Sequence, residues 1–245
     1  MANKTDLRAK SIHGSNPQFL IEKITRSKIQ GCLYWKEQCF ALNESSIIDR
    51  ARELTYYGGC FGGNMQPTPF LCLIMKMLQL QPEIRIVKQY IANQSLKYLR
   101  VLGAFYLRLV GDPIDIYTTL EPYYNDYRKL RKRTPTGWEL DHVDSFIDDL
   151  LTKRIVCHIT LPHLPKRIVL ETSAQLKPRV SLLEMSSDLD LDDDDDDLNS
   201  SDDSDKEEKE KDEDNSDAKE KESDESDDSD NDDDIDESRK VMKQS

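Results

Sequence analysis

Residues Thr68–Leu80 read TPFLCLIMKMLQL, the most apolar stretch of the chain. Thr68 has a side chain suited to capping a helix N-terminus, and Pro69 suits the first helical position. Apolar side chains go nearly all the way round the helix that follows, whereas a surface helix carries a single apolar stripe. The stretch therefore predicts a central helix, Phe70–Leu80, that other helices bury. It is shorter than the roughly 20 apolar residues of a membrane span, so we expect no transmembrane helix.

Proline, glycine and asparagine divide the sequence around this helix into further helical segments. Asn16-Pro17 and Asp112-Pro113 each pair a capping residue with a proline suited to a helix start, and Gly31 and Gly111 suit helix ends. Apolar residues recur at spacings of three and four between such signals. The additional predicted helices are 17–30, 43–57, 82–91, 96–110, 114–120, 122–131, 143–151 and 166–176.

The periodicity changes after the turn at residues 134–137. Trp138–Val143 alternates apolar and polar residues, and Arg154–Leu161 is rich in β-branched residues. Both patterns are typical of strands. The sequence thus predicts a mainly α fold, a compact multi-helix bundle with a small β-hairpin-like element near residues 138–161.

Charge divides the chain into two parts. Residues 1–180 hold 26 Lys and Arg against 17 Asp and Glu, whereas residues 181–245 hold 8 against 31. No aromatic residue follows Phe146, so the second part lacks apolar surface to offset the entropy of ordering. We expect a folded domain over 1–180 and a disordered acidic tail over 181–245. Ser187, Ser200, Ser204 and Ser229 of the tail each precede an acidic residue by three positions, a pattern that acidophilic kinases favour, and phosphorylation there would add negative charge.

The cysteines indicate an intracellular protein. Their number, five, is odd, their spacing is unlike a disulfide framework, and the opening MANKTDLRAK has no apolar signal region. We expect reduced thiols in an intracellular compartment.

The sequence predicts no metal site, no phosphate-binding loop and no catalytic nucleophile. Cys157-His158 with His163 lacks the paired spacing of a zinc site, so core or surface roles are favoured. The glycine-rich segment Gly58–Gly63 lacks the Lys and Ser/Thr of a phosphate loop, and is better interpreted as a turn with close backbone contacts. No nucleophile or metalloprotease motif stands out. We therefore expect a protein that is not an enzyme and binds no cofactor or metal.

A basic run lies at the end of the predicted helix 122–131, directly after three tyrosines. Positive charge beside aromatic rings can hold phosphates and stack bases. Such a run also complements the negative end of a helix dipole, or serves in nuclear import. These three interpretations remain open, and direct RNA binding is the alternative function. The residues are Arg128, Lys129, Arg131, Lys132 and Arg133.

Seven segments, collinear over residues 11–184, resemble the pre-mRNA-splicing factor 38 family. They cover essentially the whole predicted domain. The Asp/Glu/Ser-rich tail differs from the Arg/Ser-rich repeats of animal and plant relatives, so contacts of the tail with Arg/Ser-rich splicing regulators are not expected. The segments are Ser11–Gln18 (SIHGSNPQ), Tyr34–Phe40 (YWKEQCF), Gly58–Leu73 (GGCFGGNMQPTPFLCL), Lys97–Ala104 (KYLRVLGA), Leu120–Lys129 (LEPYYNDYRK), His142–Leu151 (HVDSFIDDLL) and Leu176–Ser181 (LKPRVS).

The resemblance implies a nuclear, non-catalytic scaffold of the spliceosome that acts around tri-snRNP entry and in activation of the pre-catalytic complex. Implied partners are a C2H2 zinc-finger splicing protein and the homologue of microfibrillar-associated protein 1, whose helical segments pack on the domain. We expect a monomer within a large complex, with no membrane contact. The glycine loop holds aromatic groups near the central helix, which gives a candidate docking surface of Tyr34, Trp35, Phe61, Met65, Gln66 and Phe70.

Overall fold

The computed structural model of the chain describes residues 3–6 and 9–179. About half of these residues are helical, which confirms the mainly α class. The predicted tail, 181–245, and the predicted boundary at residue 180 lie outside the described residues. The helices are α1 (Lys23–Gly31), α2 (Leu33–Glu37), α3 (Glu44–Arg52), α4 (Pro69–Leu80), α5 (Ile84–Ala92), α6 (Lys97–Val110), α7 (Pro113–Leu120), α8 (Val143–Thr152) and α9 (Arg167–Thr172), with 3-10 helices at Pro17–Leu20 and Glu121–Asn125.

Helix α4 is the buried centre that its sequence predicts. Every residue from Phe70 to Gln79 is buried, and α1, α2, α3 and α6 pack around it. The Thr68 side chain caps its first turn by accepting a hydrogen bond from the Leu71 backbone N–H at 3.2 Å. Within the described part of the chain, no helix combines the length and the apolar character needed to cross a membrane.

The Thr68 hydroxyl also links α4 to the segment at Gly58, ten residues earlier in the chain. It donates a 2.7 Å hydrogen bond to the Gly58 carbonyl in a fully buried position. Thr68→Ala removes the cap and leaves that carbonyl without this donor, so we expect the free energy of unfolding to fall by about 1–2 kcal/mol. Urea unfolding of the parent and of Thr68→Ala measures the loss. Thr68→Ser, which retains the hydroxyl, is the control. Equal stability of the alanine variant would contradict the assigned role of the hydroxyl.

Four aromatic rings join the elements at the core. Tyr57 packs edge-on against Phe70 of α4 and Phe146 of α8, at centroid distances of 5.9 and 4.9 Å. Phe105 of α6 closes the cluster, at 5.8 Å from Phe70 and 6.4 Å from Phe146. Edge-to-face contacts at such distances add to the apolar burial. The cluster fixes α4, α6, α8 and the strand at Tyr57 relative to one another.

A buried arginine of α6 organises the segment that leads into the sheet. The Arg100 guanidinium donates to the carbonyls of Ile91 and Asn93 at 2.7 and 3.1 Å, which lie at the end of α5. It also pairs with the Asp126 carboxylate, which Arg128 binds at 2.7 and 2.8 Å. Burial alone raises the pKa of the Asp126 carboxyl, but the hydrogen bonds from Arg128 and Arg100 outweigh it and lower the pKa to about 2.

The strands form three small sheets. In the three-stranded sheet, a central strand pairs in parallel with the strand at Tyr57 and antiparallel with the strand that follows it. The other two sheets are short hairpins. The strands are β1 (Tyr57–Gly58), β2 (Cys60–Phe61), β3 (Gln66–Pro67), β4 (Lys129–Arg133), β5 (Trp138–His142), β6 (Ile155–Val156) and β7 (Ile159–Thr160).

The β-element near residues 138–161 was predicted with the wrong pairing. Trp138–His142 is a strand, but it pairs with Lys129–Arg133, and residues 155–160 form a hairpin of their own. The predicted helix 122–131 is also wrong, because a short 3-10 helix ends at Asn125 and β4 follows. Asp126 between them accepts from the buried Arg100 and from the partly exposed Arg128, and these bonds turn the chain toward the sheet.

Several helix limits differ from the prediction. The predicted helix 17–30 is a 3-10 turn followed by α1, and two of its apolar residues, Phe19 and Ile24, are 61% and 72% exposed. Helix α3 ends at Arg52, and Tyr57, the predicted end of that helix, lies in β1 instead. Helix α9 is shorter than predicted, and α2 was not anticipated.

Candidate docking surface

The β4–β5 hairpin has one buried and one exposed face. On its inner face Leu130 is fully buried in the core. On its outer face the register places Arg131 opposite Leu140 and Arg133 opposite Trp138. Trp138 and Leu140 are 50% and 65% exposed, and because they alternate along one strand they place two large apolar side chains on the same outward face.

Stacked cationic and aromatic groups continue this outer face toward the glycine loop. The guanidinium carbons of Arg131 and Arg133 each lie 4.6 Å from the Trp138 ring centroid. Arg133 also lies 5.0 Å from the ring of Phe61, and Tyr56 meets Trp138 edge-on at 5.0 Å. We call this surface the hairpin face; it consists of Tyr56, Phe61, Arg131, Arg133, Trp138 and Leu140.

The glycine loop is held against the hairpin by close backbone contacts. The Gly62 N–H donates to the Pro135 carbonyl in the hairpin turn at 3.1 Å, and Gly62 has a φ of 70°. On its other side the loop meets the β6–β7 turn: a Cβ on Gly59 would lie 2.2 Å from Nδ1 of His158, so only glycine fits there. The interpretation of the loop as a turn with close contacts is confirmed.

His158, for which the sequence favours a core or surface role over metal binding, has a structural partner. Its Nδ1 accepts a hydrogen bond from the Cys60 backbone N–H at 3.1 Å. Within residues 3–6 and 9–179, no three Cys, His, Asp or Glu side chains are grouped in a way that could hold a metal ion.

The basic run lies in β4, with Arg128 directly before it, rather than at a helix end, so a helix dipole is not what it complements. Arg128 binds Asp126 and donates to the Gln94 carbonyl at 2.5 Å, and Lys132 pairs with Glu139 at 3.3 Å. Lys129 is exposed on the strand. The guanidinium groups of the remaining two, Arg131 and Arg133, stack on the rings of the hairpin face. Import and RNA contact stay predictions that these contacts do not decide.

The six predicted docking residues separate into core and surface. Phe70 is fully buried and Trp35 is 4% exposed, so neither can receive a partner, and this part of the prediction is wrong. The Trp35 indole N–H donates to the Asn3 side chain at 2.9 Å, which explains how its polar edge is satisfied in the core.

The other four residues remain accessible. Phe61 belongs to the hairpin face, and Met65 and Gln66 follow it in the same loop, half-buried and exposed. Tyr34 lies in α2, where burial raises the pKa of its hydroxyl. The structure thus joins Phe61 with Arg133, which the sequence assigned to two different sites. The tail serines Ser187, Ser200, Ser204 and Ser229 lie outside the described residues.

Sequence reasoning missed Trp138, Leu140 and Tyr56 as surface residues. The signal was present in the alternation of residues 138–143, because a strand that alternates places one set of side chains outward. What the sequence lacked was the partner strand, which decides which set faces the core.

The sequence of this chain is similar to those of known splicing proteins. The sequence profile of the PRP38 family matches residues 10–174. The chain belongs to the PRP38 family. Pre-mRNA-splicing factor 38A of Homo sapiens is 55% identical over 189 residues, which cover 77% of this chain and 61% of that protein. Pre-mRNA-splicing factor 38 of Arabidopsis thaliana is 55% identical over 185 residues, covering 75% and 52%. The PRP38-family chain therefore spans about half to three-fifths of these relatives.

A solved structure also resembles this PRP38-family chain. It is the crystal structure of the Snu23-Prp38-MFAP1(217-258) complex of Chaetomium thermophilum. The matched chain is 42% identical, with a TM-score of 0.68, and the match covers 74% of this chain and 99% of that one. The likeness extends over essentially the entire matched chain, so the mainly helical fold is common to both.

Proposed function

We propose that this PRP38-family protein is a non-enzymatic scaffold of the nuclear spliceosome that docks helical segments of other splicing proteins. The observation that carries the proposal is the 42% identity to a chain solved in complex with Snu23 and MFAP1. By this likeness its partners are a Snu23-type C2H2 zinc-finger protein and an MFAP1-type protein. Its place is the tri-snRNP-containing, pre-catalytic spliceosome, where it contributes to activation.

The hairpin face has the composition of a protein-binding site. Arginine and aromatic residues are enriched among the residues that dominate binding energy at interfaces. Trp138 and Leu140 offer apolar area, while Arg131 and Arg133 supply donors that a carboxylate accepts in bidentate fashion. Their stacking on Trp138 restricts the side chains before a partner arrives, which lowers the entropy cost of binding.

An amphipathic helix suits this surface because apolar and cationic side chains stand side by side on its outward face. Two apolar side chains one turn apart on the partner would cover Trp138 and Leu140, and acidic residues beside them would meet Arg131 and Arg133. Phe61 extends the apolar area toward the glycine loop. The proposal therefore names an acidic, amphipathic helical segment as the occupant.

Substitutions on the hairpin face test this assignment. We expect Trp138→Ala and Leu140→Ser each to weaken binding of an MFAP1-type or Snu23-type helical segment by at least tenfold, because they remove central apolar contacts. Ile168→Ser on α9 is the matched control, since Ile168 is 71% exposed but lies elsewhere. Calorimetry on the full chain gives the affinities, and circular dichroism verifies the fold. Affinities unchanged by both hairpin variants for both segments would exclude this surface.

The RNA alternative makes a different prediction for the same hairpin. RNA held by the basic run binds with steep salt dependence, and Arg131→Glu combined with Lys132→Glu abolishes that binding. Leu140→Ser keeps every charge, so it distinguishes the two: it weakens a docked helix and leaves RNA affinity unchanged.

A further inference from the structure

Two cysteines that are far apart in the sequence meet where α1 and α2 join beside α4. Cys32 lies between α1 and α2, and Cys72 lies in the second turn of α4. Their sulfur atoms are 3.6 Å apart. All five cysteines fall within the described residues, and no other two have their sulfurs in hydrogen-bond contact.

The two thiols have unequal surroundings. Cys32 is half-buried and therefore reachable from solvent, whereas Cys72 is fully buried. The sulfurs of Cys32 and Cys72 share one hydrogen bond, and Cys32 Sγ also accepts a hydrogen bond from the Trp35 backbone N–H at 3.5 Å. The first of these contributes most to lowering the pKa of Cys32 to about 6, and together with burial it raises the pKa of Cys72. Of the two sulfurs, the reachable one therefore loses its proton more readily than the buried one.

We propose that Cys32 and Cys72 form a thiol oxidation site, in which a hydroperoxide oxidises Cys32 and Cys72 then closes a disulfide. This modification site is independent of the docking function proposed above. It stands on the sulfur contact and on the difference in access between the two side chains. Accessible thiolates with a neighbouring resolving cysteine are the ones that peroxides oxidise selectively.

The chemistry balances in two steps. With hydrogen peroxide as the hydroperoxide, the Cys32 thiolate attacks one oxygen, the O–O bond breaks, and the departing hydroxide takes up a proton as water, which leaves Cys32 as a sulfenic acid. The Cys72 sulfur then attacks Cys32 sulfur, the S–O bond breaks, and the hydroxide leaves as water with the proton of Cys72. Overall, two thiols lose two electrons and the peroxide is reduced to two molecules of water.

The geometry allows the bond with a small movement. A disulfide needs the sulfurs about 2.05 Å apart, so they must approach by roughly 1.6 Å. Cys32 lies at a helix junction with φ −74° and ψ 154°, outside both helices, so its side chain and backbone can adjust more readily than those of Cys72 inside α4. The other cysteines are less suited, because burial raises the pKa values of Cys39, Cys60 and Cys157.

Peptide mapping of the full chain tests the site. The reduced protein is treated with hydrogen peroxide, remaining thiols are alkylated, and the product is digested and analysed by mass spectrometry. We expect a linked pair of peptides containing Cys32 and Cys72, and an intact mass lower by two hydrogen atoms. The melting temperature should rise by roughly 5–15 °C and return to its starting value with dithiothreitol.

Three variants separate the roles of the two sulfurs. Cys72→Ser should leave Cys32 as a sulfenic acid that dimedone traps, and Cys32→Ser should prevent oxidation of Cys72 at the same peroxide dose. Cys157→Ser, the control, should form the linked peptides as the parent does. Absence of the linked peptides in the parent chain, or oxidation of Cys39 or Cys60 at an equal rate, would overturn the proposal whether or not each variant folds.

Discussion

Replacing Asp126 by alanine is expected to lower the free energy of unfolding by about 3–5 kcal/mol. The variant leaves the Arg100 guanidinium, 8% exposed, without its counter-charge, and removing one partner of a buried ion pair is strongly destabilising. Arg128 loses the same carboxylate. Because Asp126 directs the chain from the 3-10 helix into β4, we also expect the hairpin to loosen. Urea unfolding followed by circular dichroism measures the loss.

The matched control is Asp115→Ala, which breaks the Lys88–Asp115 pair. These side chains are 42% and 43% exposed, so the expected loss is at most about 1 kcal/mol. Equal effects of the Asp126 and Asp115 substitutions would show that burial of the ion pair does not govern its contribution.

The contribution of Asp126 should also depend on pH. Its folded-state pKa, about 2, lies below the ordinary value of 3.8, so the stabilisation is complete above about pH 5 and disappears as the pH falls toward 2. As the pH falls over this range, the free energy of unfolding of the parent should decrease by about 2 kcal/mol more than that of Asp126→Ala. A difference in unfolding free energy between the two proteins that stays constant with pH would contradict the assigned pKa.

Phe70→Ala is the second substitution with a large expected effect, about 3–5 kcal/mol of unfolding free energy. Phe70 is fully buried in α4 and contacts the rings of Tyr57 and Phe105, so its removal opens a cavity at the centre of the aromatic cluster. Thermal and urea unfolding measure the loss.

Phe61→Ala is the comparison for this substitution, because Phe61 was assigned to the same docking surface by sequence. It is only partly buried, and we expect its replacement to cost less than about 1.5 kcal/mol of stability while weakening binding of the helical segment. If Phe70→Ala were instead as stable as the parent but bound the partner more weakly, Phe70 would be a docking residue rather than a core residue.

The central helix could be read from sequence because its signals are local. Thr68 and Pro69 mark its start, and its all-round apolar character requires burial wherever the chain places it. The sequence alone also indicated the strand at Trp138–His142, since alternation is a property of the strand itself.

Strand β4 could not be identified in the same way. Its sequence, KLRKR, has a single apolar residue, Leu130, and follows a Pro122 that suits a helix start. It is a strand because it pairs with β1, more than 70 residues earlier, and with β5. Distant pairing of this kind leaves no local pattern, and the hairpin face depends on it.

Burial separates the predicted docking residues for a related reason. Trp35 and Phe61 are both aromatic residues with polar or glycine neighbours in the sequence. Trp35 nevertheless lies in the core, whereas Phe61 lies at the surface. Trp35 lies in the short helix α2, which packs against α1 and α4. Only the assembled fold decides which aromatic side chain a partner can reach.

Hydrogen exchange of the full chain with and without an MFAP1-type helical segment tests the central claim most directly. If the hairpin face is the docking site, residues 56–61 and 129–142 should exchange more slowly in the complex, while α9 should be unchanged. Slower exchange confined to other elements, with the β4–β5 hairpin unaffected at saturating segment, would contradict the account.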